Sequence, residues 1–280
     1  VEYPFANWGL DGSKARIPET YNPTGLYRKT FELPKNWSDR EVIIHFGAVK
    51  SAFYLYVNGQ YVGYSQDSKT PAEFNLTKYL KAGKNLIALK VLQWSDGSYL
   101  EDQDFWRLSG IERDVFLVGT PKTRITDFVI KSDLDKEFTD GLFELKIDLL
   151  NATNSTSGTV RLLDGDEVVF EKSTTASNNQ INFSSTITDV AKWSAEFPNL
   201  YQLEVEIKEG NNVLQAFIQQ VGFRKVEIKE GMLQVNGTPI TIRGTNLHEH
   251  HGTTGHVIDL ATRIKDLEIM KQNNVNAIRT

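Results

Sequence analysis

Apolar and polar positions alternate with a period of two through most of the chain up to about residue 225, the pattern of half-buried strands. The clearest case is Ser51 to Val57, where Phe53, Leu55 and Val57 alternate with Tyr54 and Tyr56. Asn58-Gly59 follows, the residue pair that a type I′ turn favours, so Ser51 to Ser65 is expected to form a β-hairpin. Gly25 to Leu33, Glu41 to Gly47, Asn85 to Trp94 and Glu112 to Val118 are similar runs rich in β-branched and aromatic residues. Short strands at such regular spacing predict a jelly-roll β-sandwich over residues 1–120.

The alternation pauses at Thr120-Pro121-Lys122 and restarts. Strands are expected at Arg124 to Lys131, Leu142 to Leu150, Gly158 to Leu163, Glu167 to Lys172, Gln180 to Thr186, Leu200 to Ile207 and Val213 to Phe223. Their number and spacing fit an immunoglobulin-like β-sandwich over 121–224, without the Cys–Trp–Cys core of antibody domains. After Gly231 the pattern changes. Met232 to Val235 and Pro239 to Gly244 read as a hairpin leading into a strand, with Asn236-Gly237 at its turn. Asp259 can cap a helix in which Leu260, Ala261, Ile264 and Leu267 recur at helical spacing, and Val275 to Ile278 reads as a further strand. Strand, helix, strand is the βαβ unit of a parallel sheet. One such unit cannot cover both faces of its strands, so 225–280 is expected to be the start of a (β/α)8 (TIM) barrel whose remainder lies beyond Thr280.

Composition narrows the function classes. The formal net charge of −5 and the scattered Lys and Arg argue against a nucleic-acid partner, which needs a basic stripe to neutralise phosphates. No run approaches the ~18 apolar residues of a membrane span, so no membrane partner is expected. The chain has no cysteine, which removes disulfides, thiolate nucleophiles and Cys-based zinc sites.

Two polar clusters could carry chemistry. The first runs from Asp96 through Glu101, Asp102 and Asp104 to Arg107, with Tyr99, Phe105 and Trp106 interleaved. Carboxylates beside aromatic rings suit a sugar, whose hydroxyls take hydrogen bonds while its C–H faces stack; they also suit a hard cation, or an acidic loop held by Trp106 and an arginine. The second is Arg243-Gly244-Thr245-Asn246-Leu247-His248-Glu249-His250-His251, with three of the five histidines. Its spacing is not that of the helical zinc motif, though an extended chain would put His248 and His250 on one side. A metal corner, a substrate-contacting loop and a structural turn all remain open, and the position after the first strand of an α/β unit favours the substrate loop. Arg279 ends the second strand, where its side chain would either point into the same mouth or lie as a surface arginine near the chain end. His45 is expected to be a hydrogen-bonded core histidine, and Trp8 and Trp37 to pack rather than to stack on sugar.

These stretches resemble glycoside hydrolase family 2, in particular the large bacterial β-galactosidase type. The resemblance rests on Asn22-Pro23-Thr24-Gly25-Leu26-Tyr27, on Ser95 to Trp106, on Ser109 to Val115, on Trp193 to Tyr201, on Arg243 to His251 and on Met270 to Ala277, all in one consistent order. It implies a sugar-binding sandwich, an immunoglobulin-like sandwich and a catalytic barrel, acting on terminal β-D-galactose residues with retention. Retention needs two carboxyl groups ~5 Å apart, and the resemblance places both beyond Thr280. It also implies that Asp104 contacts galactose and a sodium ion, and that His248 contacts galactose hydroxyls and stabilises the transition state. Arg279 would hold the nucleophilic carboxylate ionised. Magnesium ligands would come from the rest of the barrel, and the parent enzyme would be a homo-oligomer. Two rivals are a related exo-glycosidase (a β-glucuronidase or β-mannosidase) and a non-catalytic carbohydrate-binding sandwich protein.

Overall fold

The computed structural model describes residues 17, 21–101, 108–255 and 257–280. Two compact units divide the chain between Thr120 and Pro121.

The first unit contains β1 (Thr24–Glu32), β2 (Glu41–Phe46), β3 (Val49–Lys50), β4 (Ala52–Val57), β5 (Gln60–Gln66), β6 (Ala72–Asn75), β7 (Lys84–Leu92), a four-residue helix α1 (Gly97–Leu100), β8 (Gly110–Ile111) and β9 (Val115–Thr120). One antiparallel sheet runs β1-β7-β4-β5 and another β6-β2-β9, with β3 and β8 as a short extra pair. Period-two alternation explains the layering: Ile44 and Phe46 of β2 meet Phe53, Leu55 and Val57 of β4 and Ile87, Leu89 and Val91 of β7 in one core. The hairpin expected from Asn58-Gly59 is present, with both residues at positive φ (50° and 80°) as a type I′ turn demands. The Asn58 side-chain amide donates to Tyr79 O (2.9 Å) and Asn85 Oδ1 (2.8 Å), while its Oδ1 accepts from Leu86 N (3.0 Å).

Two expectations need correction here, and one strand was not expected. The strand expected at Glu112–Val118 is displaced to Val115–Thr120. Gly110–Ile111 pairs instead with Val49–Lys50, and the chain turns off at 112–114, where Gly47 N donates to Asp114 O. β6, Ala-Glu-Phe-Asn, is too short for its alternation to register in the sequence. His45 is hydrogen-bonded but not in the core: on the outward side of β2 it stacks on Phe116 with centroids 4.6 Å apart, its Nδ1 2.8 Å from Glu73 Oε1. Trp37 packs its ring on Gly119, where a Cβ would stand 2.6 Å from the indole.

In the second unit, β10 (Arg124–Leu134), β11 (Gly141–Leu150), β12 (Thr156–Asp164), β13 (Glu167–Thr175), β14 (Gln180–Ile187), β15 (Tyr201–Glu209) and β16 (Asn212–Val221) form a sandwich of sheets β10-β11-β14 and β13-β12-β15-β16. Strict alternation in β11, β12 and β15 points Phe143, Leu145, Ile147, Val160, Leu162, Leu203, Val205 and Ile207 into its core. A hairpin follows, β17 (Val226–Lys229), β18 (Met232–Val235) and β19 (Thr238–Pro239), turning at Asn236-Gly237 as expected. It is tied to the sandwich: Asn236 Nδ2 donates to Trp193 O (3.0 Å) and Asn236 Oδ1 accepts from Lys225 N (3.0 Å). Last come β20 (Gly244–Asn246), α2 (Leu260–Gln272) and β21 (Ala277–Arg279), with β20 and β21 pairing in parallel. Among the described residues no helix is long and apolar enough to cross a membrane.

Candidate functional site

Parallel pairing gives β20 and β21 a common C-terminal end. Their register sets Gly244 opposite Ala277, Thr245 opposite Ile278 and Asn246 opposite Arg279, and Leu247 N then donates to Arg279 O (2.9 Å). The 247–259 loop, carrying His248, Glu249, His250 and His251, therefore leaves from the strand end at which Arg279 sits, the face where barrels of this kind carry their chemistry. The apolar run Pro239–Gly244, expected to be continuous strand, is interrupted over residues 240–243. There the Asn276 side chain replaces ladder partners, accepting from Arg243 N (2.7 Å) and donating to Thr241 O (2.9 Å). This clamp across the starts of the two strands was not read from the sequence.

The histidines follow β20 in loop rather than in a strand. His248 and His250 are exposed, whereas His251 is half-buried and starts a tight turn in which His251 and Gly255 exchange backbone hydrogen bonds of 2.8 and 3.0 Å. Into that turn points the ring of His251. Its Nδ1 accepts from the backbone N–H groups of Thr253 and Thr254 (both 3.3 Å) and lies 3.1 Å from Thr253 Oγ1 and 3.0 Å from Thr254 Oγ1. Glu249 turns back to Arg263 on α2, with its Oε1 3.3 Å from the guanidinium Nε. At the start of α2, Asp259 accepts from Thr262 N (2.7 Å), the expected cap. That backbone N–H and the Thr262 hydroxyl hold the Asp259 carboxyl below its ordinary range.

Asp104 lies outside the described residues, as do Asp102, Trp106, Arg107, Trp8 and His256. What is described of the first cluster is built for structure. Asp96 caps α1, and Glu101 crosses to the 67–68 turn, where it accepts from Asp67 N (3.1 Å), Ser68 N (2.9 Å) and Ser68 Oγ (2.6 Å). Gly97 makes room for it: a Cβ there would lie 2.5 Å from Glu101 Oε1. Among the described residues no three His, Cys, Asp or Glu side chains converge on a point that could hold a metal ion. An open cleft of about 630 Å³ lies at the other end of the parallel pair, lined by Ala195, Arg243, Leu267, Lys271 and Asn276 among others, and Lys271 Nζ donates there to Ala195 O (3.0 Å). It is away from the histidine loop, at the strand starts, where such folds place stability rather than catalysis.

The chain thus combines two antiparallel sandwiches with a parallel strand pair that carries a polar loop at its C-terminal end. Family models match the chain in sequence order: the glycosyl hydrolases family 2 sugar binding domain over residues 3–121, glycosyl hydrolases family 2 over 123–224, and the family 2 TIM barrel domain over 226–280. The chain belongs to glycosyl hydrolase family 2. It is 42% identical to a β-galactosidase of Priestia megaterium and 44% identical to one of Photobacterium profundum, over all of this chain and 28% of each relative. Among solved structures it resembles β-glucuronidases from Bifidobacterium dentium (TM-score 0.80, 22% identity, 93% of this chain and 49% of that one) and Ruminococcus gnavus (TM-score 0.79, 22% identity, 96% and 47%). At that identity the likeness is one of fold.

Proposed function

We propose that this chain forms part of a retaining β-galactosidase and supplies one wall of its galactose site. The observation that carries this reading is the β20–α2–β21 arrangement: the His248 loop and Arg279 emerge at one end of a parallel pair, in a chain 42% identical along its whole length to a β-galactosidase. In this reading residues 1–120 are the sugar-binding sandwich, 121–224 the immunoglobulin-like spacer and 225–280 the opening of the barrel. His248 contacts galactose hydroxyls and steadies the transition state. Arg279 keeps the nucleophilic carboxylate charged, since a guanidinium nearby favours the ionised form. The resemblance also implies a galactose and sodium contact for Asp104, which lies outside the described residues. The two carboxyl groups that retention requires, ~5 Å apart, come from parts of the full-length protein outside these residues.

The test is a substrate panel on the full-length protein and, separately, on the 280-residue chain. Nitrophenyl β-D-galactoside should be turned over by the former and untouched by the latter. Preference for the glucuronide would replace galactosidase by glucuronidase, and turnover by the 280-residue chain alone would remove the division of labour.

A further inference from the structure

We propose that His251 is a hydrogen-bond donor to a saccharide hydroxyl at the barrel mouth, preset in a single tautomer by its own turn; this rests on the glycosidase reading above. The geometry decides which nitrogen carries the proton. Backbone N–H groups can only donate, and those of Thr253 and Thr254 both point at Nδ1 from 3.3 Å, so Nδ1 is the unprotonated acceptor. The Thr253 hydroxyl, 3.1 Å away, adds a third donor, while the Thr254 hydroxyl gives its proton to Val257 O (2.6 Å). The neutral ring must then carry its proton on Nε2, on the far side of the imidazole from the turn. Among the described residues Nε2 has no hydrogen-bond partner, and nearby Asp259 accepts from Thr262 instead.

A fixed ring with an outward N–H on the loop that carries His248 suits an oxygen acceptor that arrives with the substrate. A sugar hydroxyl is such an acceptor, and the ring needs no reorganisation to meet it. His248 and His250 precede it in sequence, and the Thr253-Thr254-Gly255 turn sets the tautomer of His251 from inside the loop.

Two substitutions separate the two nitrogens. His251→Asn places its side-chain oxygen where Nδ1 stands and keeps the turn, but has nothing at Nε2. His251→Gln places an amide N–H near Nε2 and gives up the turn acceptor. In the full-length enzyme, H251N should unfold at the wild-type midpoint yet lose ~10-fold in kcat/KM on nitrophenyl galactoside, the scale of one hydrogen bond made to substrate. H251Q should recover part of that loss. Across galactosides lacking one hydroxyl each, a single member should be cleaved equally by wild type and H251N. Wild-type rates in H251N, or an equal loss on every deoxy substrate, would overturn the assignment. If the wild type cleaves a different glycoside, the galactosidase reading fails alone, and the same comparison runs on that sugar's hydroxyls.

Discussion

The immunoglobulin-like sandwich and the β20–α2–β21 segment adjoin in one chain and bury their apolar residues to opposite extents. In the sandwich Leu162, Leu203, Ile147 and Ile207 are 0% exposed, and both sheets close over them. On α2, Leu260 is 71% exposed, Ile264 47% and Leu267 50%, and no residue of the helix is buried. The sandwich strands alternate strictly, whereas α2 groups Leu260, Ile264 and Leu267 on one side but puts Ile269 on the other, so its pattern is only weakly amphipathic. The sandwich finds its complement within residues 121–224, whereas among the described residues nothing buries Leu260, Ile264 and Leu267 of the helix. Periodicity tells which face an element buries and not whether the covering layer lies within reach.

Substitutions that treat the two regions alike should give unlike results. Leu203→Ala, fully enclosed between the sheets, should lower unfolding free energy by ~2–5 kcal/mol in urea titration. A cost below ~1 kcal/mol would mean that the core yields and that the contrast is overstated. Asp259→Ala should act locally, raising amide exchange in the first turn of α2 while leaving the sandwich protected. The same cap is pH-sensitive: the Asp259 carboxyl is held below its unfolded value, so its contribution is complete above the ordinary carboxylate range and fades as pH falls through the lowered one. Exchange in that turn that ignores pH would remove the carboxylate from the cap. The smallest effect belongs to Ile264→Ala, which in the 280-residue chain should change stability by less than ~0.5 kcal/mol. A large effect there would show that the helix face is covered after all.

The same distinction explains what the sequence made legible. The strands of both sandwiches and the Asp259-capped helix follow from period and punctuation, because each rule is local. β6 escaped notice because Ala72-Glu73-Phe74-Asn75 offers a single informative apolar residue, and β9 was placed early because pairing at Val49 diverts the chain through 110–111. The break at 240–243 is legible only with Asn276 in place, more than 30 residues later. At the site, the loop and its strand end were readable from the βαβ order. The role of His251 was not, since it depends on where two amide hydrogens point. One sequence cue was available: Thr253-Thr254-Gly255, beginning two residues after His251, marks a turn small enough for a ring to cap.

The tight turn at Asn58-Gly59 also bears on how the protein ages. Asn-Gly is the dipeptide most prone to losing ammonia through a cyclic imide, which leaves an acid in place of the amide. At Asn58 that acid would face Tyr79 O and Asn85 Oδ1, two oxygens that now receive its N–H groups, and an ionised carboxylate has no proton to offer either. The exchange of one nitrogen for oxygen would turn two attractions into repulsions at the tip of the hairpin, so storage should weaken that turn.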